Sequence, residues 1–423
     1  MLIHVVQSGE TIASIARQYG VDPLRLSSDN GVIGGQLAVG QALAVQFPEV
    51  LHTVQTGETL SSIARQYGLS LRQLLRNNYS LQGRSQLNAG QVLVISYLGE
   101  KLGTAATGGY AYPYIPQEEL DAALPYMTLL APFTYGVTAS GGLLHLEDQA
   151  LLASARSMGV LPFLHLSSLT EDGQFSSQRV SMVLEDPALQ AQLIEQVAGA
   201  VVEKGYRGVD IDFEFVPPEQ GAAYGSFVAQ MRRRMGALGY PVMVALAPKT
   251  YAGQPGLLYE AHDYALLGQA ADFALLMTYE WGYVYGPPMA VAPLPNVRQV
   301  VEYAVTEIAP QRLLLGIPTY GYDWPLPFQQ GVTSARSLSN PQAVELARRY
   351  QAAVQYDESA QAPYFYYADD QGTEHVVWFE DARSIAAKCE LIAQYGLQGA
   401  GFWSLMRPFP QGWVTLNALL EIL

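Results

Sequence analysis

Three features of the 423-residue sequence predict an α/β chain in which a (β/α)8 (TIM) barrel follows two small βααβ modules. The first is alternation: from residue 109 onward, eight apolar strand-like runs are separated mostly by helical patterns. The second is an internal repeat, "VQSGETIASIARQYG" at 6–20 returning as "VQTGETLSSIARQYG" at 54–68, identical at 12 of 15 positions. The third is "YRGVDIDFEF" at 206–215, where Asp210, Asp212 and Glu214 take alternate places in an otherwise apolar run. On a strand these side chains share one face at steps of about 6 to 7 Å, so their charges need a proton, a partner or a substrate to relieve them.

The repeat sets the organisation of the N-terminal part, with modules expected at 1–48 and 50–97. Ile12, Ile15, Ala16 and Tyr19 recur at helical spacing, as do Leu60, Ile63, Ala64 and Tyr67. Gly20 and Gly68 should stop these helices, and Asp22 (before Pro23) and Ser70 should cap the next ones. Each copy closes on Gly-Gln and an apolar strand, "GQALAV" and "GQVLVI". A core this small is marginal, and its repetition suits a repeated grip on a polymer. These residues resemble the LysM family. The resemblance implies binding of N-acetylglucosamine-containing glycans, such as peptidoglycan or chitin, in a groove between the first helix and the loop before the last strand. Carried over by position, the groove residues are Gly9, Glu10, Thr11 and Ile12, and Gly57, Glu58, Thr59 and Leu60. Turn and cap roles are the competing expectation for each.

"YLGEKLGTAATGG" reads as a flexible linker, assigned to 98–108. The strand-like runs that follow are "GGYAYPYI", "YMTLLAPF", "GVLPFLHL", "RGVDIDFEF", "VMVALAP", "DFALLMTY", "RLLLGIPTY" and "GAGFWSL". Continuous apolar strands indicate burial on both faces, and strand–helix alternation over this length favours a barrel with its chemistry at the C-terminal strand ends. Helices are expected at Pro187–Lys204 and Tyr224–Leu238. The interval between strands seven and eight is too long for a simple crossover. It predicts a small α+β insertion at about 322–382, with a helix near Pro341–Tyr350 and strands at "PYFYYA" and "HVVWFE".

Composition narrows the function classes. The net charge is −15, concentrated after residue 97, where 17 basic residues face 33 acidic ones; a nucleic-acid partner is not expected. No run of about 18 apolar residues occurs, and "MLIHVVQSGE" lacks the pattern of a secretory signal, so neither membrane span nor signal peptide is expected. The single Cys389 excludes an internal disulfide and suits helix packing. The six scattered histidines suggest no metal site, and no cofactor is expected.

By itself, "DIDFEF" leaves open an acidic solvated strand or a divalent-cation site. Placed on a barrel-lining face, the same acids favour a carboxyl group of raised pKa, as a general acid requires. The run resembles the D-G-x-D-x-D-x-E strand of glycoside hydrolase family 18. That resemblance makes Glu214 the acid, Asp212 the residue orienting a substrate N-acetyl group that acts as nucleophile, and Asp210 its support. Arg207 stands where the family's first Asp is usual. "LMTYEW" resembles the family's M-x-Y-D, which gives Tyr279 to the acetamido oxygen and puts Glu280 in place of Asp. Trp403 would floor the reacting sugar, with a core role as the alternative, and Met277 either packs on the acetamido group or fills the core. Tyr110, Trp281 and Tyr320 are candidate sugar contacts, with Tyr135 and Trp324 as further aromatic candidates.

The likeness extends through "GYAYPYI", "ALAPKTYAGQPGLLYEAHDY" and "GIPTYGYDWPLPF" to the spore-germination branch of that family, the cortex-fragment-lytic N-acetylglucosaminidases. It implies a retaining, substrate-assisted hydrolase of spore-cortex peptidoglycan, located at the spore coat or cortex surface or, alternatively, in the cell wall. A LysM-targeted chitinase and a non-catalytic glycan-binding coat protein are the competing functions.

Overall fold

A computed structural model describes residues 1–32 and 34–423 of the chain. The two N-terminal modules have the same order of elements. In the first, strands Leu2–Val5 and Ala42–Val45 pair antiparallel around helices Ile12–Tyr19 and Pro23–Asp29. In the second, Pro48–Thr53 pairs with Val92–Tyr97 around Leu60–Gln66 and Leu71–Arg76. The expected stops and caps form: Gly20 ends its helix with φ +67, Gly68 follows Tyr67 with φ +69, and Asp22 and Ser70 each accept a backbone N–H as N-caps.

Among the described residues, eight parallel strands close into a barrel. In chain order they are Gly103–Ala111, Leu129–Pro132, Leu161–Ser167, Gly208–Asp212, Val242–Leu246, Phe273–Leu276, Leu313–Pro318 and Gly399–Trp403, with the eighth pairing back onto the first. Most of the expected linker is therefore the first barrel strand. Its Gly, Ala and Thr residues are small because they sit in a closed barrel: a Cβ at Gly108 would lie 2.9 Å from the Leu129 side chain. Only Leu98–Leu102 connects the modules to the barrel. A short C-terminal strand, Leu420–Ile422, pairs parallel with the start of the first barrel strand.

Helix Pro187–Lys204 has the expected bounds, whereas the next helix is Gly221–Gly236, shifted towards the N-terminus. Cys389 is buried in helix Ala382–Tyr395. The insertion between strands seven and eight is a five-stranded antiparallel sheet, ordered Arg336–Ser339, Tyr320–Pro325, Glu374–Trp378, Ala362–Ala368 and Gln355–Asp357. Helix Asn340–Arg349 packs on it. The main core lies between the strands and the outer helices, and a smaller one inside the barrel contains Ala106, Tyr110, Ala131, Met243, Leu275 and Leu314.

Candidate active site

The fourth strand builds the site by alternation. Val209, Ile211 and Phe213 are fully buried, and Phe213 stacks on Phe227 of the following helix at 5.5 Å between ring centroids. The intervening Asp210 then faces the barrel interior, Asp212 ends the strand, and Glu214 reaches the mouth. Phe215 takes φ +54, which turns the chain away immediately after Glu214. Gly208 is required by packing, since a Cβ there would lie 2.5 Å from the Phe163 ring. Arg207 is exposed at the opposite end of the strand, where its backbone N–H donates to the Pro162 carbonyl, so it takes no part in the mouth.

A cleft of about 330 Å³ opens there, lined by Asp212, Glu214, Met277, Tyr279, Glu280, Trp281 and Trp403 among the expected residues. Tyr112, Phe133, Phe175, Pro248, Leu258 and Tyr259 complete it. Trp403 packs against Phe133 at 4.8 Å and Tyr110 at 5.7 Å, presenting an aromatic wall. Burial, reinforced by the Asp212 charge, pushes the Glu214 carboxyl up to about 8, so it keeps its proton at neutral pH. Burial also raises Asp210 to about 6, although His165 and the Tyr110 hydroxyl, which donates to its Oδ2 at 2.8 Å, hold it down. Desolvation and the surrounding carboxylates keep the Tyr279 hydroxyl protonated.

Two histidines missed in the sequence organise this cluster. The parallel register sets His165 of the third strand beside Asp210; its Nε2 lies 3.8 Å from Asp210 Oδ2 and 3.4 Å from Asp212 Oδ2. Its Nδ1 is 2.6 Å from Thr134 Oγ1. His262 is fully buried and held neutral, its pKa lowered to about 4 by burial. Its Nδ1 accepts the Ala247 N–H at 3.0 Å, which leaves Nε2 to donate to the Phe213 carbonyl at 3.2 Å. It thus ties the peptide before Glu214 to the end of the fifth strand. Asp212 Oδ1, Asp210 Oδ1 and His165 Nε2 are buried without a hydrogen-bond partner in the described protein. A buried unpaired carboxylate oxygen beside a cleft is chemically suited to a ligand N–H.

Several expected contacts are displaced. Tyr110 lies beneath the cleft as an Asp210 donor, and Tyr320 is buried with its hydroxyl on Glu280, which also accepts from Tyr322 at 3.1 Å. Tyr135 and Trp324 are completely buried, committed to Asp148 and to the Gly286 carbonyl, so neither can stack on a sugar. In the modules, Gly9 and Gly57 have positive φ, and the Glu10 and Glu58 carboxylates are tied to His4 and His52 at 2.8 Å and to the backbone N–H of Gln7 and Gln55. Thr11 and Thr59 form capping boxes, and Ile12 and Leu60 are core residues. At these positions the turn, cap and core roles account for the side chains.

The sequence model of glycosyl hydrolases family 18 matches residues 171–407. The chain belongs to glycosyl hydrolase family 18. This family 18 chain is a glycosidase, and the LysM domain model matches it twice, at 4–46 and 52–96. It is 37% identical over 421 residues to the cortical fragment-lytic enzyme of Bacillus anthracis, covering 98% of this chain and 97% of that one. The crystal structure of the Bacillus cereus spore cortex-lytic enzyme SleL superposes with a TM-score of 0.84 at 36% identity, covering 100% of this chain and 99% of that one. The SleL structure from Bacillus megaterium QM B1551 gives 0.84 at 34%, covering 100% and 98%.

Proposed function

We propose that this glycosidase cleaves the β-1,4 bond after N-acetylglucosamine in spore-cortex peptidoglycan fragments during germination, by a retaining route in which the substrate's acetamido group is the nucleophile. The observation that carries the reading is the pairing of a protonated Glu214 with an unpartnered Asp212 oxygen in one cleft. Glu214 protonates the leaving glycosidic oxygen. Asp212 accepts the acetamido N–H and turns the acetamido oxygen towards the anomeric carbon, and the Tyr279 hydroxyl donates to that oxygen. As the C–O bond breaks, the acetamido oxygen bonds to carbon and an oxazolinium ion forms. Asp210 and His165 support Asp212 as charge develops. Glu214, now a carboxylate, then takes a proton from water as the water opens the ring, which restores the acid and retains configuration.

The choice of cortex over other N-acetylglucosamine polymers is supported by full-length likeness to enzymes whose names specify the spore cortex. The tandem LysM match supports a glycan hold at the coat or cortex surface. Glu214→Gln should abolish product release from cortex fragments, read by mass spectrometry, while the protein still sediments with peptidoglycan. Full turnover in that variant removes Glu214 from the acid role. Faster reducing-end release from chitin than from cortex muropeptides would replace cortex with chitin as the substrate.

A further inference from the structure

The two repeat modules are copies in sequence but differ in their surroundings. In the second, Arg84–Gln86 and Asn88–Gly90, before the closing strand, are exposed, and a Cβ added at Gly90 would meet nothing within 4 Å. In the first, the corresponding loop lies against the insertion. The Val354 N–H donates to the Val39 carbonyl at 2.8 Å, and Arg348 donates to the Gln36 side chain. Ala38 sits within the insertion's own apolar core, with Leu338, Ala347, Val354 and Phe365. Gly40 has φ +80, and a Cβ there would fall 1.8 Å from the Val354 carbonyl oxygen, so the insertion backbone crosses the loop where no side chain fits. The same module grips the barrel: the Gln411 amide, on helix Pro410–Leu419, donates to Asn30 at 2.8 Å and to the Ala42 carbonyl at 2.7 Å.

We infer that the first module is a structural bracket fixing the insertion to the barrel wall, and that the second module alone carries the hold on N-acetylglucosamine polymer. The inference rests on the reading above that the module loops face the glycan. In the first module, the Gln36 side chain, Ala38, the Val39 carbonyl and Gly40 are taken up by Arg348, Val354 and the insertion core, which leaves Gly34 and Gly35 as the open part of the loop. In the second, the loop meets the barrel at Gly83, where a Cβ would fall 2.1 Å from the Asp121 carbonyl oxygen, and keeps Arg84–Gln86 and Asn88–Gly90 exposed for an approaching polymer. A single grip forgoes the gain in apparent affinity that two simultaneous grips would supply. What the bracket provides is position: the insertion it holds carries Tyr320 and Tyr322, whose hydroxyls fix Glu280 at the cleft.

The test uses the full chain and the equivalent exposed positions of the two first loops, Ser8 and Thr56. Thr56→Trp should weaken sedimentation with insoluble peptidoglycan by about tenfold or more, as expected when a bulky group fills a contact surface, and Ser8→Trp should leave it within about twofold. Equal loss in both variants, or loss in neither, overturns the inference. Wild-type protein that stays in the supernatant overturns the glycan-binding reading itself. As a second measurement, Ala38→Arg should lower turnover of soluble fragments while sedimentation stays within about twofold of wild type. Weakened sedimentation with unchanged turnover would make the first module a glycan grip rather than a bracket.

Discussion

Glu214 should make the folded protein less stable as the pH rises, and Glu214→Gln should remove that penalty. The carboxyl is raised from 4.5 to about 8, first by burial and then by Asp212. A carboxyl whose folded pKa lies above its unfolded value holds its proton more tightly in the folded state. Below pH 4.5 both states are protonated and Glu214 costs nothing relative to Gln. Above that, the unfolded chain gains by ionising while the folded chain does not, so stability falls until the pH passes about 8 and then levels off. At about 1.4 kcal/mol per unit the ceiling is about 5 kcal/mol, and water in the cleft brings the expected gap nearer ~2 kcal/mol. For a chain of this size that corresponds to a melting difference of about 2–3 °C at pH 8. Thermal melts of wild type and Glu214→Gln between pH 4.5 and 9 read it directly. The variant should match wild type at the acid end and melt higher at the alkaline end. A constant difference, or one that widens towards acid, refutes the reasoning.

Three further outcomes follow from the same geometry. His262→Ala removes the donor to the Phe213 carbonyl, so kcat should fall by about 10- to 100-fold with KM within about twofold, measured on soluble cortex fragments; a rise in KM without loss of kcat would contradict its positioning role. Tyr110→Phe deletes a donor that holds Asp210 down, so the acid limb of the kcat/KM profile should move to higher pH. Gly208→Ala drives a methyl into the Phe163 ring and should cost about 1–3 kcal/mol in urea unfolding.

Where the sequence carried a period, it was informative. The repeat, the helix stops at Gly20 and Gly68 and the eight buried strands were legible because burial imposes those patterns locally. Asp212 and Glu214 were legible because alternation on one strand decides the face. The linker failed because Gly and Thr are as suitable inside a crowded barrel as in a flexible tether, and no local signal separates the two. His165 and His262 were invisible for a different reason: each matters through a partner on another strand, and the register that sets His165 beside Asp210 is not written in either segment alone. Tyr135 and Trp324 misled because an aromatic residue near a strand end can face the cleft or the wall, and the hydrogen-bond partners that decide it, Asp148 and Gly286, lie 13 and 38 residues away on other elements.

The brevity of Leu98–Leu102 governs how capture and cutting relate in space. A long tether would spread the catalytic mouth over a cloud of distances from the anchored glycan, and the yield of each cut would follow the statistics of the tether. Here the second module is fastened instead: Arg72 and Arg76 donate to the Met127 and Pro125 carbonyls of the barrel, and Tyr126 donates back to the Arg76 carbonyl. On the inference that this module holds the glycan, a polymer held there would meet the cleft at one separation. The molecule would then measure as it cuts, and the spacing between anchor and scissile bond would become a property of the fold.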